Sequence, residues 1–110
     1  MRFYGIPSEE RVLEIIESIK DGVWIFEENG KTQSLDAEGI KEKLYELVNR
    51  VKGWKEQNKH LPAGTVFFFV STPDEPQAFK VYDLSSLGCS TKLDPARWKI
   101  YKKEFLGKLS

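Results

Sequence analysis

Cysteine, histidine and net charge are all scarce in this 110-residue chain. A single cysteine, Cys89, excludes an internal disulfide and fits a reducing compartment. With His60 as the only histidine, a four-ligand zinc site would have too few nitrogen and sulfur donors. The sequence therefore predicts no metal and no cofactor. Lysine plus arginine equals aspartate plus glutamate at 17 each, for a formal charge of zero. That balance disfavours nucleic-acid binding driven by charge. Long apolar runs are also missing, and the opening MRFYGIPSEE has none of the character of a signal peptide. These absences predict a cytoplasmic protein with no membrane association.

What is present suits an ordinary globular domain. Hydrophobic residues make up 40% of the chain and aromatics 13%, enough for a core without disulfide or metal staples. The length fits one domain, residues 1–110. Charge is unevenly spread. Residues 1–30 hold three basic and seven acidic side chains, while 31–60 and 61–110 each hold seven basic and five acidic.

Local signals mark most of the elements. Ser8 reads as an N-cap, with Glu9 and Glu10 in the first turn and Val12, Ile15, Ile16 and Ile19 at helical spacing. Asp21-Gly22 should end that helix. VWIFE, Asn29-Gly30 and a polar return over residues 31–35 predict a hairpin whose second strand lies at an edge or faces solvent. Asp36 should cap a second helix carrying Ile40, Leu44, Leu47, Val48, Val51 and Trp54 on one stripe and running to about Asn58. TVFFFVS and AFKVYDL read as two more strands, joined by the proline-stiffened TPDEPQ.

The final segment, DPARWKIYKKEFLGKL at 94–109, predicts a third helix. Asp94 would cap it, Pro95 would take its first position, and Leu93 would staple to Trp98. A helical wheel gathers Trp98, Tyr101, Phe105, Leu106 and Leu109, and leaves Ile100 pointing away as a misfit. The expected fold is α+β and two-layered, in the order α-β-β-α-β-β-α. It has three helices on a mainly antiparallel sheet of about four strands, built from two hairpins.

Chemistry-bearing patterns are few. Gly30-Lys31-Thr32 matches the end of a phosphate-binding loop, but Ile25 stands where that motif needs glycine, and a hairpin stands where it needs a helix. Cys89 lies in SSLGCST with no adjacent charged activator, so a small cysteine-dependent enzyme using Cys89 and His60 has little support. Glu10, Glu14, Glu17 and Asp21 form an acidic stripe opposite the isoleucines, suited to a basic partner or simply to water. Asp74 and Glu75 sit in the stiff loop, where a partner could meet them. Arg97, Lys99, Lys102 and Lys103 flank aromatics near the C-terminus, the pattern of a nucleic-acid-binding helix if those aromatics were exposed. The sequence thus predicts a non-catalytic protein-binding module of inhibitor, immunity or regulatory type. Glu10, Glu14, Glu17, Asp21, Asp74 and Glu75 are its candidate contacts, and another protein is its expected partner. Nucleic-acid binding through Arg97, Lys99, Lys102 and Lys103 is the alternative.

Overall fold

A computed structural model describes residues 2–62, 64–86 and 96–107. Along the chain run β1 (Phe3–Ile6), α1 (Glu9–Glu17), β2 (Val23–Glu28), β3 (Lys31–Asp36), α2 (Ala37–Gln57), β4 (Phe68–Ser71), β5 (Ala78–Val81) and β6 (Trp98–Lys102). The strands form one six-stranded sheet in the order β1-β4-β5-β6-β2-β3, antiparallel at every pairing.

Both expected hairpins form. Asn29 and Gly30 take φ of 53° and 78°, the left-handed pair that a tight two-residue turn requires, and Glu28 stands opposite Lys31. Ser71 stands opposite Ala78 across the 72–77 loop. The polar β3 is an edge strand, as its composition implied. Both helix starts also behave as read. Ser8 Oγ accepts from the Arg11 amide at 3.3 Å, and Asp36 Oδ1 accepts from the Gly39 amide at 2.8 Å. The first helix stops earlier than Asp21-Gly22. After Glu17, the Ser18 hydroxyl donates to the Ile15 carbonyl at 2.6 Å, and the Ile19 amide turns back to Ile16.

The α+β class holds, but the expected count of four strands and three helices does not. The described residues form six strands and two α-helices, in the order β-α-β-β-α-β-β-β. One added strand is β1, four residues that include Gly5 and are too short to show periodicity. The other replaces the expected C-terminal helix. WKIYK is strand β6, followed by a single 3-10 turn at Lys103–Phe105. The capping residues Asp94 and Pro95 lie outside the described residues, as do Leu93, Lys108 and Leu109.

The reason is tertiary. The two hairpins do not pair with each other in the sheet. β6 lies between them and pairs with β5 on one side and β2 on the other. Its period of two puts Trp98 and Ile100 towards the helices, at 2% and 0% exposure, and turns Lys99 and Tyr101 to the opposite face. The helical misfit, Ile100, is among the most deeply buried residues of the strand.

One face of the sheet carries the main core. Trp24, Phe68, Val70, Phe79, Val81, Trp98 and Ile100 pack against Val12, Ile15 and Ile16 of α1 and Ile40, Leu44, Val48 and Val51 of α2. Trp54 of α2 is inserted between Phe67 and Trp98, with ring centroids 5.3 and 6.4 Å away. Among the described residues no helix covers the other face, where Ile25, Ala78 and Tyr101 make a smaller cluster joined by Phe3 and Phe105.

Candidate functional site

Two connections end side by side. Gly22, at φ 104°, reverses the chain after α1, and the Trp24 indole nitrogen donates to the Asp21 carbonyl at 3.1 Å. Asp21 is thereby tied to the start of β2. Opposite it, the 72–77 loop is held by its own hydrogen bonds. The Thr72 hydroxyl donates to the Glu75 carbonyl at 2.8 Å, the Glu75 amide donates to the Thr72 carbonyl at 2.9 Å, and Gln77 Nε2 donates to the Glu75 carbonyl at 3.0 Å. Such closure pre-organises Asp74 and Glu75.

Between the two connections is a cleft of about 390 Å³, lined by Lys20, Asp21, Trp24, Asp74, Glu75 and Lys102 among others. Trp24 is 1% exposed, and the Lys102 ammonium lies 5.9 Å from its ring centroid. The three carboxylates are exposed at the rim. Beyond the loop, a shallower hollow of about 570 Å³ is lined by Asp74, Glu75, Pro73 and Tyr4, the last 47% exposed. Asp21 and Asp74, 53 positions apart in sequence, therefore face one concavity together with Glu75.

The rest of the acidic stripe is not part of it. Glu14 pairs with Arg11 at 3.5 Å along the helix, and Glu10 is exposed on the same helix. Glu17 accepts a 2.7 Å hydrogen bond from the Tyr45 hydroxyl of α2. That bond, with burial and the charges of Glu17 and Glu38, pushes the Tyr45 phenol up to about 12. Glu9 likewise bridges the two helices, its carboxylate 2.7 Å from Lys55. Glu17 and Glu9 fasten α1 to α2.

The four C-terminal cations are dispersed by the strand geometry. Arg97 is held by Asp83 at 2.5 Å and Glu28 at 3.5 Å, with its guanidinium 4.6 Å from the Trp98 ring centroid. Lys102 lines the cleft, Lys99 stands on the helix-free face, and Lys103 is exposed in the 3-10 turn. A continuous basic face, which an electrostatic nucleic-acid binder needs, is not assembled from them. Gly30-Lys31-Thr32 turns a hairpin and starts β3, a context without the helix N-terminus that cradles phosphates. His60 is exposed just past α2, and Cys89 lies outside the described residues. Among the described residues no group of three or more histidine, cysteine, aspartate or glutamate side chains is placed to hold a metal ion. No helix among them is long and apolar enough to cross a membrane.

Sequence reasoning missed the residues gathered on the helix-free face, above all Phe3 of β1, Phe69 of β4, Lys80 of β5 and Tyr82 just after it. The alternation of Phe79, Lys80, Val81 and Tyr82 was a usable signal for two of them. Nothing local announced that Lys99 would stand directly opposite Lys80.

The geometry defines a small two-layer α+β protein with an acidic-rimmed cleft at one end of its sheet. The chain is 49% identical over 112 aligned positions to a protein of Aquifex aeolicus (strain VF5), a match spanning 100% of this chain and 91% of that protein. It belongs to the same family as that protein, which is described only as an uncharacterized protein. No family profile and no solved structure matches the chain.

Proposed function

We propose that the chain is a non-catalytic protein-binding module of the cytoplasm, of inhibitor, immunity or regulatory type, which docks its partner at the cleft between Asp21 and the 72–77 loop. The observation that carries this reading is the convergence of Asp21, Asp74 and Glu75 on one concavity. Three rim carboxylates offer charge-assisted hydrogen bonds to a lysine or arginine of the partner. Lys20 and Lys102 on the same rim reject a uniformly basic surface and set the register of docking. Tyr4, exposed across the loop, supplies the amphipathic aromatic contact that protein interfaces favour.

The test is affinity capture with the wild-type chain and the Asp21→Lys/Asp74→Lys/Glu75→Lys variant in parallel, followed by calorimetry with the purified captured protein. All three positions are exposed, so the variant should keep its fold. The expected result is a partner held by the wild type and weakened at least about tenfold, or 1.4 kcal/mol, by the variant. A partner bound equally by both chains would place docking elsewhere and refute the reading.

A further inference from the structure

The sheet is open, and its two outer strands differ. β3 carries Lys31 and Asp36 at its ends and polar side chains between, the composition by which natural edges avoid further pairing. β1 lacks that protection, since no charged side chain stands between Arg2 and Glu9. On its inner side β1 pairs with β4, from Phe3 opposite Ser71 to Ile6 opposite Phe68. Among the described residues no strand pairs with its outer side, where backbone amides and carbonyls still seek partners. That side is open to solvent: Tyr4 is 47% exposed, and Gly5 is exposed as well. Glycine at residue 5 leaves the backbone bare, and a Cβ there would come within 3.1 Å of the Phe69 ring.

This free edge ends beside the 72–77 loop. Because β4 runs antiparallel to β1, the chain leaves Ser71 next to Phe3, and Tyr4 lines a hollow of about 570 Å³ with Pro73, Asp74 and Glu75. Both carboxylates are exposed, and among the described residues neither is held in a salt bridge. The Arg2 guanidinium, just before the strand, lies 6.0 Å from the Tyr4 ring centroid. An uncharged hydrogen-bonding edge with two carboxylates at one end fits an extended segment that carries a basic residue.

We infer that β1 accepts an extended segment of the partner protein as a seventh strand, with a lysine or arginine of that segment set against Asp74 and Glu75. This rests on the reading of the 72–77 loop as a docking point, and it names what the partner presents there. A second copy of the chain suits the edge less well. A two-fold antiparallel pairing of β1 with itself would bring the acidic first turn of each α1, Glu9 and Glu10, towards Asp74 and Glu75 of the other chain.

The experiment is an amide-shift and amide-exchange titration of the labelled full chain with the blocked hexapeptide KTVTVK. Shifts are expected at Phe3, Tyr4, Gly5 and Ile6 and at Asp74 and Glu75, with exchange slowed along β1. Asp74→Lys/Glu75→Lys should weaken binding about 2–30-fold, the range for two exposed ion pairs. Asp21→Lys, outside this hollow, should leave it unchanged. Methylating the backbone nitrogens of the interior peptide residues should abolish binding, because the added strand then has no donors. Absent shifts along β1 at millimolar peptide would overturn the inference. Equal binding of the methylated peptide would do the same, by leaving a charge contact without a strand. Equal affinity for the blocked peptide ETVTVE would remove the basic residue and overturn it too. Concentration-dependent slowing of β1 exchange without peptide, with a doubled sedimentation mass, would instead assign the edge to a second copy. The captured partner separates this inference from the cleft reading. A partner that binds but leaves β1 exchange unchanged sinks the added strand alone. Binding that slows β1 exchange and is indifferent to Asp21→Lys sinks the cleft alone.

Discussion

Replacing Ile100 by alanine separates a C-terminal strand from a C-terminal helix more sharply than any other single change. In β6 the Ile100 side chain is 0% exposed and stands between Phe79 of β5 and Phe26 of β2, under the two helices. Truncating it removes its ethyl and methyl branches from a close-packed site. Such changes cost about 2–5 kcal/mol, the transfer term plus the residual cavity. Against a typical domain stability of about 5–15 kcal/mol, that is a large fraction. At roughly 4 °C per kcal/mol for a domain of this size, the melting temperature should fall by about 8–20 °C. Urea denaturation should show the midpoint lowered with an unchanged m-value, since the surface exposed on unfolding is nearly the same. Leu106→Ala is the control. Leu106 is 53% exposed just beyond the strand and should change stability by no more than about 0.5 kcal/mol. A helix over the same residues would turn Ile100 away from Trp98, and the two variants would then behave alike. A loss below about 1 kcal/mol for Ile100→Ala would refute the strand and the register built on it.

Removing residues 96–110 should abolish cooperative unfolding by calorimetry, because the β2–β3 and β4–β5 hairpins then lose the strand that joins them, and isolated hairpins are marginal in water. Tyr45 should titrate by ultraviolet difference spectroscopy at about 12, and Glu17→Gln should bring it back towards 10.0. Because its folded pKa is raised, the tyrosine's contribution to stability is present below pH 10.0 and is lost as pH rises through about 12. Burial alone would raise the Asp83 carboxyl, but the hydrogen bond and charge of Arg97, with the Leu84 amide and Ser85 hydroxyl, outweigh it and hold the group below 3.8. Its contribution, under about 1 kcal/mol for so accessible a pair, is therefore present above pH 3.8 and lost as pH falls below that, and Arg97→Gln should flatten that part of a stability-versus-pH curve. Gly30→Ala should cost about 1 kcal/mol by urea denaturation through backbone strain alone, since φ is 78° and no atom lies within 4 Å of the added Cβ.

Several features were legible one segment at a time, because their causes are local. Ser8 and Asp36 cap helices with their own side chains, and Asn29-Gly30 adopts the dihedrals that few other pairs tolerate. The α2 stripe from Ile40 to Val51 is buried as its spacing required. The tie between Glu17 and Tyr45 was not legible, since a carboxylate on a helix face looks the same whether it meets water or a phenol on another helix.

Only the tertiary structure decided what residues 98–102 become. WKIYK satisfies a helical wheel and a strand alternation at once, and so short a run is marginal in either state alone. The choice was made by two hairpins, each with an unpaired inner edge whose backbone amides and carbonyls had to be satisfied, and a strand between them does this on both sides. The same event distributed the C-terminal lysines over the surface. As a helix, the segment would have held Lys99, Lys102 and Lys103 near one another. As a strand, it sends Lys102 to the Asp21 cleft and Lys99 to the opposite face beside Lys80, because successive side chains on a pleated backbone point to opposite sides.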